Sequence, residues 1–331
     1  MELEDLFNTV TNYQPPANAH WKGRKTNPGS GNQYWYQAVE LFDANGPGKK
    51  RFEFNKPEIA LLGYACDEGV RRNMGREGAR LGPQEVRKQL AKLAFHHDGK
   101  NITDLGDLSC TDQDMEACQD SLASVISPLI SKGVFPIVIG GGHDVAYGHF
   151  KGIVEAVKDT SKPDIGIINF DAHFDLRPVE KETHSGTPFA QILDQYKSYA
   201  EYFVIGIQEP SNSKELFDTA RENNVKYILN YDCESRNIGA IISQLAPFIE
   251  RNDWLYITLD MDGFSSAYAP GVSAPSPMGF TPFFVFEVLA YLFSSQKVIS
   301  CDIAELNPEF DRDNMTAGLA ARMVDFIVKQ K

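Results

Sequence analysis

Residues 164–177 read DIGIINFDAHFDLR, an apolar run that is followed at once by two aspartates and a histidine at alternate positions. The apolar half has the composition of a strand that is buried on both faces of a parallel sheet. In an extended chain every second side chain points to the same side, so Asp171, His173 and Asp175 can face one centre. Unpaired charge is costly where water is scarce, and something must therefore neutralise these side chains.

Short apolar runs of the same kind alternate with longer amphipathic segments from residue 58 onwards. The other runs are EIALLGY, VFPIVIG, EYFVIGI, KYILN, DWLYITLD and KVISCDIAEL. The segments between them carry apolar residues at i, i+3 and i+4 spacing and are predicted to be helical: PQEVRKQLAKLA, MEACQDSLASVISPLIS, AYGHFKGIVEAVK, SKELFDTARENN, IGAIISQLAPFIE and FFVFEVLAYLFSS. This alternation is typical of βα units around a mainly parallel sheet, which predicts an α/β fold.

The N-terminal part of the chain has a different character. Residues 1–55 are polar, rich in Asn, Gly, Lys and aromatic residues, and show no sustained helical or strand period. We expect them to form an extension that packs on the domain. Residues 56–331 contain no linker and no internal repeat, so we expect them to form a single domain.

Composition and charge exclude several classes of protein. The 331 residues carry a formal net charge of -13, and an acidic protein is not attracted to nucleic acid or to anionic membranes. The first residues, MELEDLFNTV, lack the basic start and apolar stretch of a secretory signal, and no apolar run approaches the length of about 20 residues that spans a bilayer. Five scattered cysteines without a CxxC pair suit reduced thiols, so we expect a cytoplasmic protein with neither nucleic-acid nor membrane partners.

Polar side chains also follow three further runs, where each predicted strand ends. His143 lies in the GGGHD stretch after VFPIVIG, and Glu305 lies near the end of KVISCDIAEL. Asp260 ends DWLYITLD, and Asp262 follows it. The carboxyl ends of parallel strands meet at one edge of an open sheet, where ligand crevices form, so we expect these clusters to converge. Taken alone, a histidine after a Gly-rich turn or a DxD pair is more often structural. The glycines at 140–142 do not form a dinucleotide fingerprint, because GxGxxG would need a glycine at position 145, where the sequence has Val145.

Charge predicts what this centre holds. Four aspartates and two neutral imidazoles within contact distance carry four negative charges, which would force some carboxylates to protonate unless cations were present. Two divalent ions balance four charges. Six ligands exceed the four of a tetrahedral zinc site, and a carboxylate-rich mixed set suits Mn²⁺. Asp171 and Asp260, each first in its cluster, are the candidates for bridging two ions about 3.5–4 Å apart.

The stretches GGGHD, FDAHFD, LDMD and AELNP, in this order and at these intervals, resemble the ureohydrolase family of arginases, agmatinases and formimidoylglutamases over about residues 58–331. The resemblance implies a three-layer αβα sandwich with a central parallel sheet, two Mn²⁺ ions per subunit, and a homo-oligomer that is a trimer or a hexamer. By motif position, one ion would be bound by His143, Asp171, Asp175 and Asp260. The other would be bound by Asp171, His173, Asp260 and Asp262.

The resemblance also implies a reaction, the hydrolysis of an amidine or guanidine carbon by water activated between the two ions. Glu305 stands at the motif position of the glutamate that orients the cationic substrate. The alternative for Glu305 is a carboxylate at a helix start or at the surface. Asp175 is placed to hold the proton of the nucleophile and deliver it to the departing amine. In a hypothesis of a different class, the metals serve only to hold a ligand or to brace the fold.

Departures from the arginase pattern indicate the substrate. Ser185 stands in HSGTPF where arginases and agmatinases carry a histidine directly before the glycine, with His184 displaced by one, and the loop APGVSAP departs in the same direction. Arg177 suits a bidentate clamp on a substrate carboxylate, and Asn73 or Arg76 could supply a second contact. We therefore expect hydrolysis of N-formimino-L-glutamate to L-glutamate and formamide, a step of histidine breakdown. The alternative is a guanidine hydrolase that acts on arginine, agmatine or a guanidino acid and releases urea.

Other basic residues are predicted to be structural. Arg87, in PQEVRKQLAKLA, is interpreted as part of a solvated helical face. No cluster surrounds the remaining histidines, which are predicted to be surface or packing residues: His20, His96, His97 and His149.

Overall fold

The computed structural model describes residues 7, 10, 12–27, 29–42, 58–159 and 164–331. The strands in this part of the chain are β1 Tyr13–Gln14, β2 Glu40–Leu41, β3 Ile59–Ala65, β4 Ile102–Ser109, β5 Phe135–Ile139, β6 Ile165–Phe170, β7 Ala200–Ile207, β8 Lys226–Leu229, β9 Trp254–Asp260 and β10 Val298–Ala304. They form one sheet in the order β1-β4-β3-β5-β10-β9-β6-β7-β8, and β2 also pairs with β4. Every pairing is parallel except that of β1 with β4, which confirms the prediction of a mainly parallel sheet.

Helices cover both faces of the sheet. They are α1 Trp35–Ala38, α2 Glu68–Arg72, α3 Gly82–Leu90, α4 Met115–Ser131, α5 Val145–Val157, α6 Pro188–Gln195, α7 Lys214–Glu222, α8 Ile238–Arg251, α9 Pro282–Ser294 and α10 Met315–Gln330. Apolar residues of α3, α8, α9 and α10 pack on one face, and those of α4, α5, α6 and α7 pack on the other. The predicted three-layer αβα sandwich is confirmed. Within the described residues, no helix combines the length and the apolar character needed to cross a membrane.

The middle of the sheet is made by β5, β10, β9 and β6, in that order. Every residue of β5 and β6 is buried, because helices cover these strands on both sides and their side chains are mostly apolar. The clusters predicted from the sequence follow these four neighbouring strands. Parallel pairing therefore brings them to one edge of the sheet.

Two glycines tie the ends of β3, β5 and β10 together at this edge. Gly142 donates its N–H to the Cys66 carbonyl at 2.9 Å, and Glu305 donates its N–H to the Gly141 carbonyl at 2.8 Å. A Cβ on Gly141 would lie 1.7 Å from the Cys66 carbonyl oxygen, so only glycine permits this approach. The result is that His143 and Glu305 lie side by side.

The described residues before position 43 pack against the domain. The strands β1 and β2 both pair with β4, at one end of the sheet. Trp21 Nε1 donates to Asp104 Oδ2 at 2.8 Å, and Trp35 Nε1 donates to Asp325 Oδ1 at 2.8 Å. The predicted boundary between residues 55 and 56 lies outside the described residues, and the division of the chain there stays a prediction.

Arg87 on α3 is buried, and its interpretation as part of a solvated helical face is wrong. Its side chain is 1% exposed and donates to Asp104 Oδ1 at 2.8 Å and to Asp107 Oδ1 at 2.6 Å. Both carboxylates lie on β4, where burial without a cation would be costly. We call these three residues the Arg87 cluster.

Candidate metal centre

The aspartates that come first after β6 and at the end of β9 shape their own loops. Asp171 Oδ1 accepts the backbone N–H of His173 at 2.7 Å, and Asp260 Oδ1 accepts that of Asp262 at 2.7 Å. Each side chain thus closes a turn over the residue two positions later, as aspartates commonly do. The other oxygen of each carboxylate, Oδ2, lies near His143.

His143 lies at the centre of the cluster and is 1% exposed. Its Nδ1 is 2.9 Å from Asp260 Oδ2 and 3.1 Å from both Asp171 Oδ2 and Asp175 Oδ2. This buried nitrogen nevertheless has no hydrogen-bond partner among the described residues. The other ring nitrogen, Nε2, lies 2.9 Å from Thr258 Oγ1. A cation among the three carboxylates would satisfy Nδ1.

A second group of ligand atoms lies beside the first. His173 Nδ1 is 3.3 Å from Asp262 Oδ2 and 3.5 Å from Asp171 Oδ1. Within each group, all ligand atoms lie within 4.8 Å of one another; the groups are His143, Asp171, Asp175 and Asp260, and Asp171, His173 and Asp262. Asp171 belongs to both groups, whereas Asp260 belongs only to the first. The role of Asp260 as a ligand to both ions stays a prediction.

Charge in this cluster is poorly balanced by the chain alone. Burial, followed by repulsion from Asp262 and Asp171, raises the pKa of Asp260 well above its ordinary value. Burial would lower the pKa of His143, but interaction with the surrounding carboxylates, Asp171 first, outweighs it and raises that pKa well above the ordinary range. Burial would raise the pKa of Asp171, yet its interactions with the two histidines of the cluster hold it below its usual value. The chain offers two imidazoles against four carboxylates.

The donor set fits divalent cations. Besides His143 Nδ1, the Oδ1 atom of Asp262 is buried without a hydrogen-bond partner among the described residues. Buried polar atoms of this kind cost free energy unless something pairs with them. Imidazole nitrogen suits several transition metals, and the majority of carboxylate oxygens favours Mn²⁺ among them.

Glu305 follows β10 and lies beside the two groups without belonging to either. Its Oε1 accepts the backbone N–H of His143 at 2.8 Å. Burial, followed by repulsion from Asp262, raises the pKa of Glu305 to about 8. Because Glu305 is only 5% exposed, the alternative of a surface carboxylate is wrong.

Asp175 and Glu305 both have left-handed backbone, with φ of 48° and 67°. For a residue other than glycine this conformation costs about 1–3 kcal/mol and persists only where the surrounding structure fixes it. Such residues are concentrated at functional sites. The two residues to which the family resemblance assigns catalytic roles thus both have this backbone, as do seven other described non-glycine residues.

A cavity of about 310 Å³ opens beside the cluster, a volume that suits a small molecule. We call the six residues of the two groups the metal cluster: His143, Asp171, His173, Asp175, Asp260 and Asp262. Four of them line the cavity, namely His173, Asp175, Asp260 and Asp262. The residues predicted to contact the substrate also line it: Asn73, Arg76, Arg177, Ser185 and Glu305. The folded chain thus brings the predicted metal ligands and the predicted substrate-contact residues to one place.

Asn73, Arg177 and Ser185 form one hydrogen-bonded group at this cavity. Arg177 Nη1 donates to Asn73 Oδ1 at 2.6 Å, and Asn73 Nδ2 donates to Ser185 Oγ at 3.1 Å. Arginine has five N–H donors, so Arg177 retains donors for a ligand. A guanidinium with free donors in a cavity is suited to a carboxylate.

Arg76 lines the cavity, but its guanidinium already has partners. Its Nε donates to the Ser273 carbonyl at 2.9 Å, and its Nη2 donates to the Val272 carbonyl. The guanidinium also stacks on Phe310, with Cζ 4.0 Å from the ring centroid. These contacts hold the APGVSAP loop, and a role of Arg76 in substrate binding stays a prediction.

His184 faces a neighbouring cleft, which is also lined by Arg72 and Glu182. Its Nδ1 accepts the Gly186 N–H at 3.1 Å. Burial, followed by the charge of Arg177, lowers the pKa of His184. The ring therefore contacts its own loop and lies outside the cavity of the metal cluster.

Several polar residues that sequence reasoning missed hold the loops of the cluster. Asn169 Nδ2 donates to Asp171 Oδ2 and to the Tyr202 hydroxyl, at 2.9 Å each. Asn212 Oδ1 accepts the Phe174 N–H at 3.0 Å. A signal for Asn169 exists, because it is a polar residue inside an apolar strand directly before the cluster. Asn212 and Tyr202 carry no such signal.

The fold and the site together define a class: a parallel α/β protein with a histidine–aspartate cluster, suited to divalent metals, at the carboxyl ends of its central strands. Residues 57–328 match the family model described as Arginase family. The chain belongs to the arginase family. The predicted family resemblance and the expectation of an enzyme are confirmed.

Similar proteins of known name extend this result. The chain is 41% identical over 315 residues to a formimidoylglutamase of Rhodococcus jostii, covering 94% of this chain and 95% of that protein. It is 40% identical over 311 residues to a formimidoylglutamase of Geobacillus thermodenitrificans, covering 93% and 94%. Among solved structures, Trypanosoma cruzi formiminoglutamase with Mn²⁺ superposes with a TM-score of 0.74 and 26% identity, covering 83% of this chain and 93% of that chain.

Proposed function

We propose that this chain is a manganese-dependent formimidoylglutamase, which hydrolyses the formimino C–N bond of N-formimino-L-glutamate to give L-glutamate and formamide. The proposal is supported by the relatives of that name and by the manganese in the Trypanosoma cruzi structure. The single observation that carries it is one cavity that joins the histidine–aspartate cluster to Arg177 and Asn73.

Two Mn²⁺ ions per subunit would be held by the predicted ligands. One set is His143, Asp171, Asp175 and Asp260, and the other is Asp171, His173, Asp260 and Asp262. The membership of Asp171 in both groups of ligand atoms supports its bridging role. When bound, a pair of divalent cations lowers the pKa of water and offsets the negative charge that develops during hydrolysis.

Glu305 would bind the formimino group of the substrate. A protonated amidine is a cation and needs a carboxylate that is not committed to a metal. One oxygen of Glu305 is held by the His143 N–H, which fixes the carboxylate at the cavity. The other oxygen can then accept a hydrogen bond from the amidine.

Asp175 would carry the proton that the reaction requires. Water adds to the formimino carbon, the bond from this carbon to the glutamate nitrogen breaks, and that nitrogen takes up a proton as it leaves. Asp175 lines the cavity, and burial followed by repulsion from Asp171 raises its pKa. Its position beside both the cluster and the cavity supports this role.

Arg177 would bind a carboxylate of the substrate. Its hydrogen bond to Asn73, which in turn donates to Ser185, fixes the guanidinium at the cavity. Arg76 would lie near the second carboxylate. Agmatine has no carboxylate, so this arrangement favours an amino-acid substrate over agmatine.

A panel assay tests the proposal. Manganese-loaded protein is incubated with N-formimino-L-glutamate, arginine, agmatine and guanidino acids, and formamide and urea are quantified separately. We expect formamide from the first substrate alone. Release of urea without formamide would establish a guanidine hydrolase instead, and metal binding with no turnover of any substrate would support a non-catalytic role.

We further propose that residues 1–55 are an extension on a single catalytic domain, and that the protein is a cytoplasmic trimer or hexamer. The five cysteines are all unpaired, which supports a reducing compartment. Light scattering on the full chain and on a chain truncated at residue 55 tests the assembly and the role of the extension. A monomeric full chain would contradict the proposed assembly.

A further inference from the structure

A buried polar network leads from the ring of His143 into the sheet. Thr258 Oγ1 lies 2.9 Å from His143 Nε2 and donates to Asp302 Oδ1 at 2.5 Å. Asp302 Oδ2 accepts the Tyr256 hydroxyl and lies 2.6 Å from His149 Nδ1. Each of these side chains is at most 1% exposed. The proposed reaction uses neither Asp302 nor His149, although burying these polar groups costs free energy.

The far end of this network fixes the direction of its hydrogen bonds. His149 Nε2 bonds to Ser300 Oγ, and Ser300 gives its single hydroxyl proton to the Pro136 carbonyl at 3.1 Å. His149 Nε2 must therefore donate to Ser300. One proton then lies between His149 Nδ1 and Asp302 Oδ2. Whichever of the two atoms holds it, Asp302 Oδ1 remains an acceptor.

The near end of the network then determines the tautomer of His143. Thr258 has one hydroxyl proton and gives it to Asp302, so its oxygen can only accept from His143. Nε2 of His143 consequently carries a proton. In a neutral imidazole the other nitrogen, Nδ1, then has a free lone pair, and this is the atom that lies among three carboxylates.

We propose that Thr258, held by Asp302, is a positioning residue that fixes the tautomer and ring orientation of His143, so that Nδ1 is available to a metal ion. This inference rests on the proposed metal centre. Without the hydroxyl, the ring can rotate or carry its proton on Nδ1, where it would oppose a cation. Partners of this kind typically change metal affinity by about 10–100-fold.

His173 provides an internal comparison. Its side chain is 25% exposed, and among the described residues no buried hydroxyl is hydrogen-bonded to its ring. The two groups of ligand atoms therefore differ in how their histidines are held. Loss of the Thr258 hydroxyl should weaken the group that contains His143 and spare the group that contains His173.

Three variants of the full-length chain test this inference. Thr258→Val keeps the shape of the side chain and removes the hydroxyl, and Thr258→Ser restores the hydroxyl. Tyr256→Phe is the matched control, because it removes a buried hydrogen bond to the same Asp302 without touching His143. Metal-free proteins are titrated with Mn²⁺, followed by calorimetry and by the electron paramagnetic resonance of free Mn²⁺.

We expect Thr258→Val to weaken one of two Mn²⁺ sites by about 10–100-fold and to leave the other within about threefold of the unsubstituted chain. Thr258→Ser and Tyr256→Phe should bind both ions as the unsubstituted chain does. Equal affinity in Thr258→Val, or equal weakening of both sites, would overturn the inference. Should Thr258→Val fail to fold by circular dichroism, Thr258→Ala takes its place with the same criteria. An unsubstituted chain that binds no Mn²⁺ would overturn the metal centre itself.

Discussion

The chain balances two of its clusters of charge differently. In the Arg87 cluster, nitrogens of one guanidinium donate to oxygens of two carboxylates at 2.6 and 2.8 Å. In the metal cluster only two imidazoles face four carboxylates, those of Asp171, Asp175, Asp260 and Asp262. The first cluster contains a permanently charged guanidinium that contacts both of its carboxylates, whereas the six residues of the second include no guanidinium and are proposed to take their cations from solution. We therefore expect buried carboxylates without a permanently charged partner to mark a binding site, and carboxylates held by an arginine to be structural.

Substitution of Arg87 removes the permanent cation of the first cluster. Arg87→Met leaves the buried carboxylate of Asp104 and the partly buried carboxylate of Asp107 without their cation, so we expect the free energy of unfolding to fall by about 3–5 kcal/mol. Urea unfolding of the two proteins measures this difference. The matched control is Arg80→Met, an exposed arginine in the preceding turn, which should change stability by less than about 0.5 kcal/mol. An Arg87→Met protein of unchanged stability would contradict the comparison.

Substitution of Asp260 probes the cluster that needs cations. Asp260→Asn keeps the oxygen that accepts the Asp262 N–H but removes a charge, so kcat/KM of the manganese-loaded protein should fall by more than about 100-fold. Asp218→Asn, at an exposed position of α7, makes the same charge change and should leave kcat/KM unaltered. Near-normal activity in Asp260→Asn with N-formimino-L-glutamate would remove Asp260 from the metal centre.

Without metal, Asp260→Asn should not lower the stability of the fold, in contrast to Arg87→Met. The pKa of Asp260 is raised in the folded chain, so folding favours its protonated form, and its contribution to stability falls as pH rises above the ordinary carboxyl value of about 3.9. Asp260→Asn mimics the protonated form. We expect the metal-free variant at pH 7 to melt at or above the temperature of the metal-free unsubstituted chain. A clear loss of stability would show that the cluster is balanced without cations.

Substitution of Arg177 has the smallest expected effect, because this residue is proposed to contact only the substrate. Arg177→Met should lower kcat/KM for N-formimino-L-glutamate by about 10–100-fold through the loss of charge-assisted hydrogen bonds, mainly by raising KM. Its Mn²⁺ affinity should equal that of the unsubstituted chain. Lys181→Met, which removes a positive charge from the neighbouring cleft, is the control and should leave KM unchanged. A normal KM in Arg177→Met would exclude the proposed clamp.

The central strands and the candidate site were both predictable from the sequence, because each depends on local pattern. Apolar runs indicated β5, β6, β9 and β10, and the helical spacing in MEACQDSLASVISPLIS indicated α4 with its observed bounds, Met115–Ser131. The polar residues directly after these runs indicated the cluster. Parallel pairing of these strands then brings residues that are distant in sequence to one edge of the sheet.

The parts that could not be predicted depend on contacts between distant residues. The strand β4 reads ITDLGDLS, and its aspartates obscure the apolar pattern until Arg87 is known to neutralise them. The same holds for Arg76, whose partners lie on the loop at Val272 and Ser273. Likewise, the left-handed backbone of Asp175 and Glu305 is set by surrounding packing, which no local pattern expresses.

The close approach of Gly141 to Cys66 has a practical consequence. The thiol of Cys66 belongs to the residue whose carbonyl carries the loop before His143, and this residue is 0% exposed. A reagent can reach this buried sulfur only when the packing around it opens. The rate of alkylation at Cys66, measured by mass spectrometry, would therefore report how often the core packing opens beside the loop that carries His143.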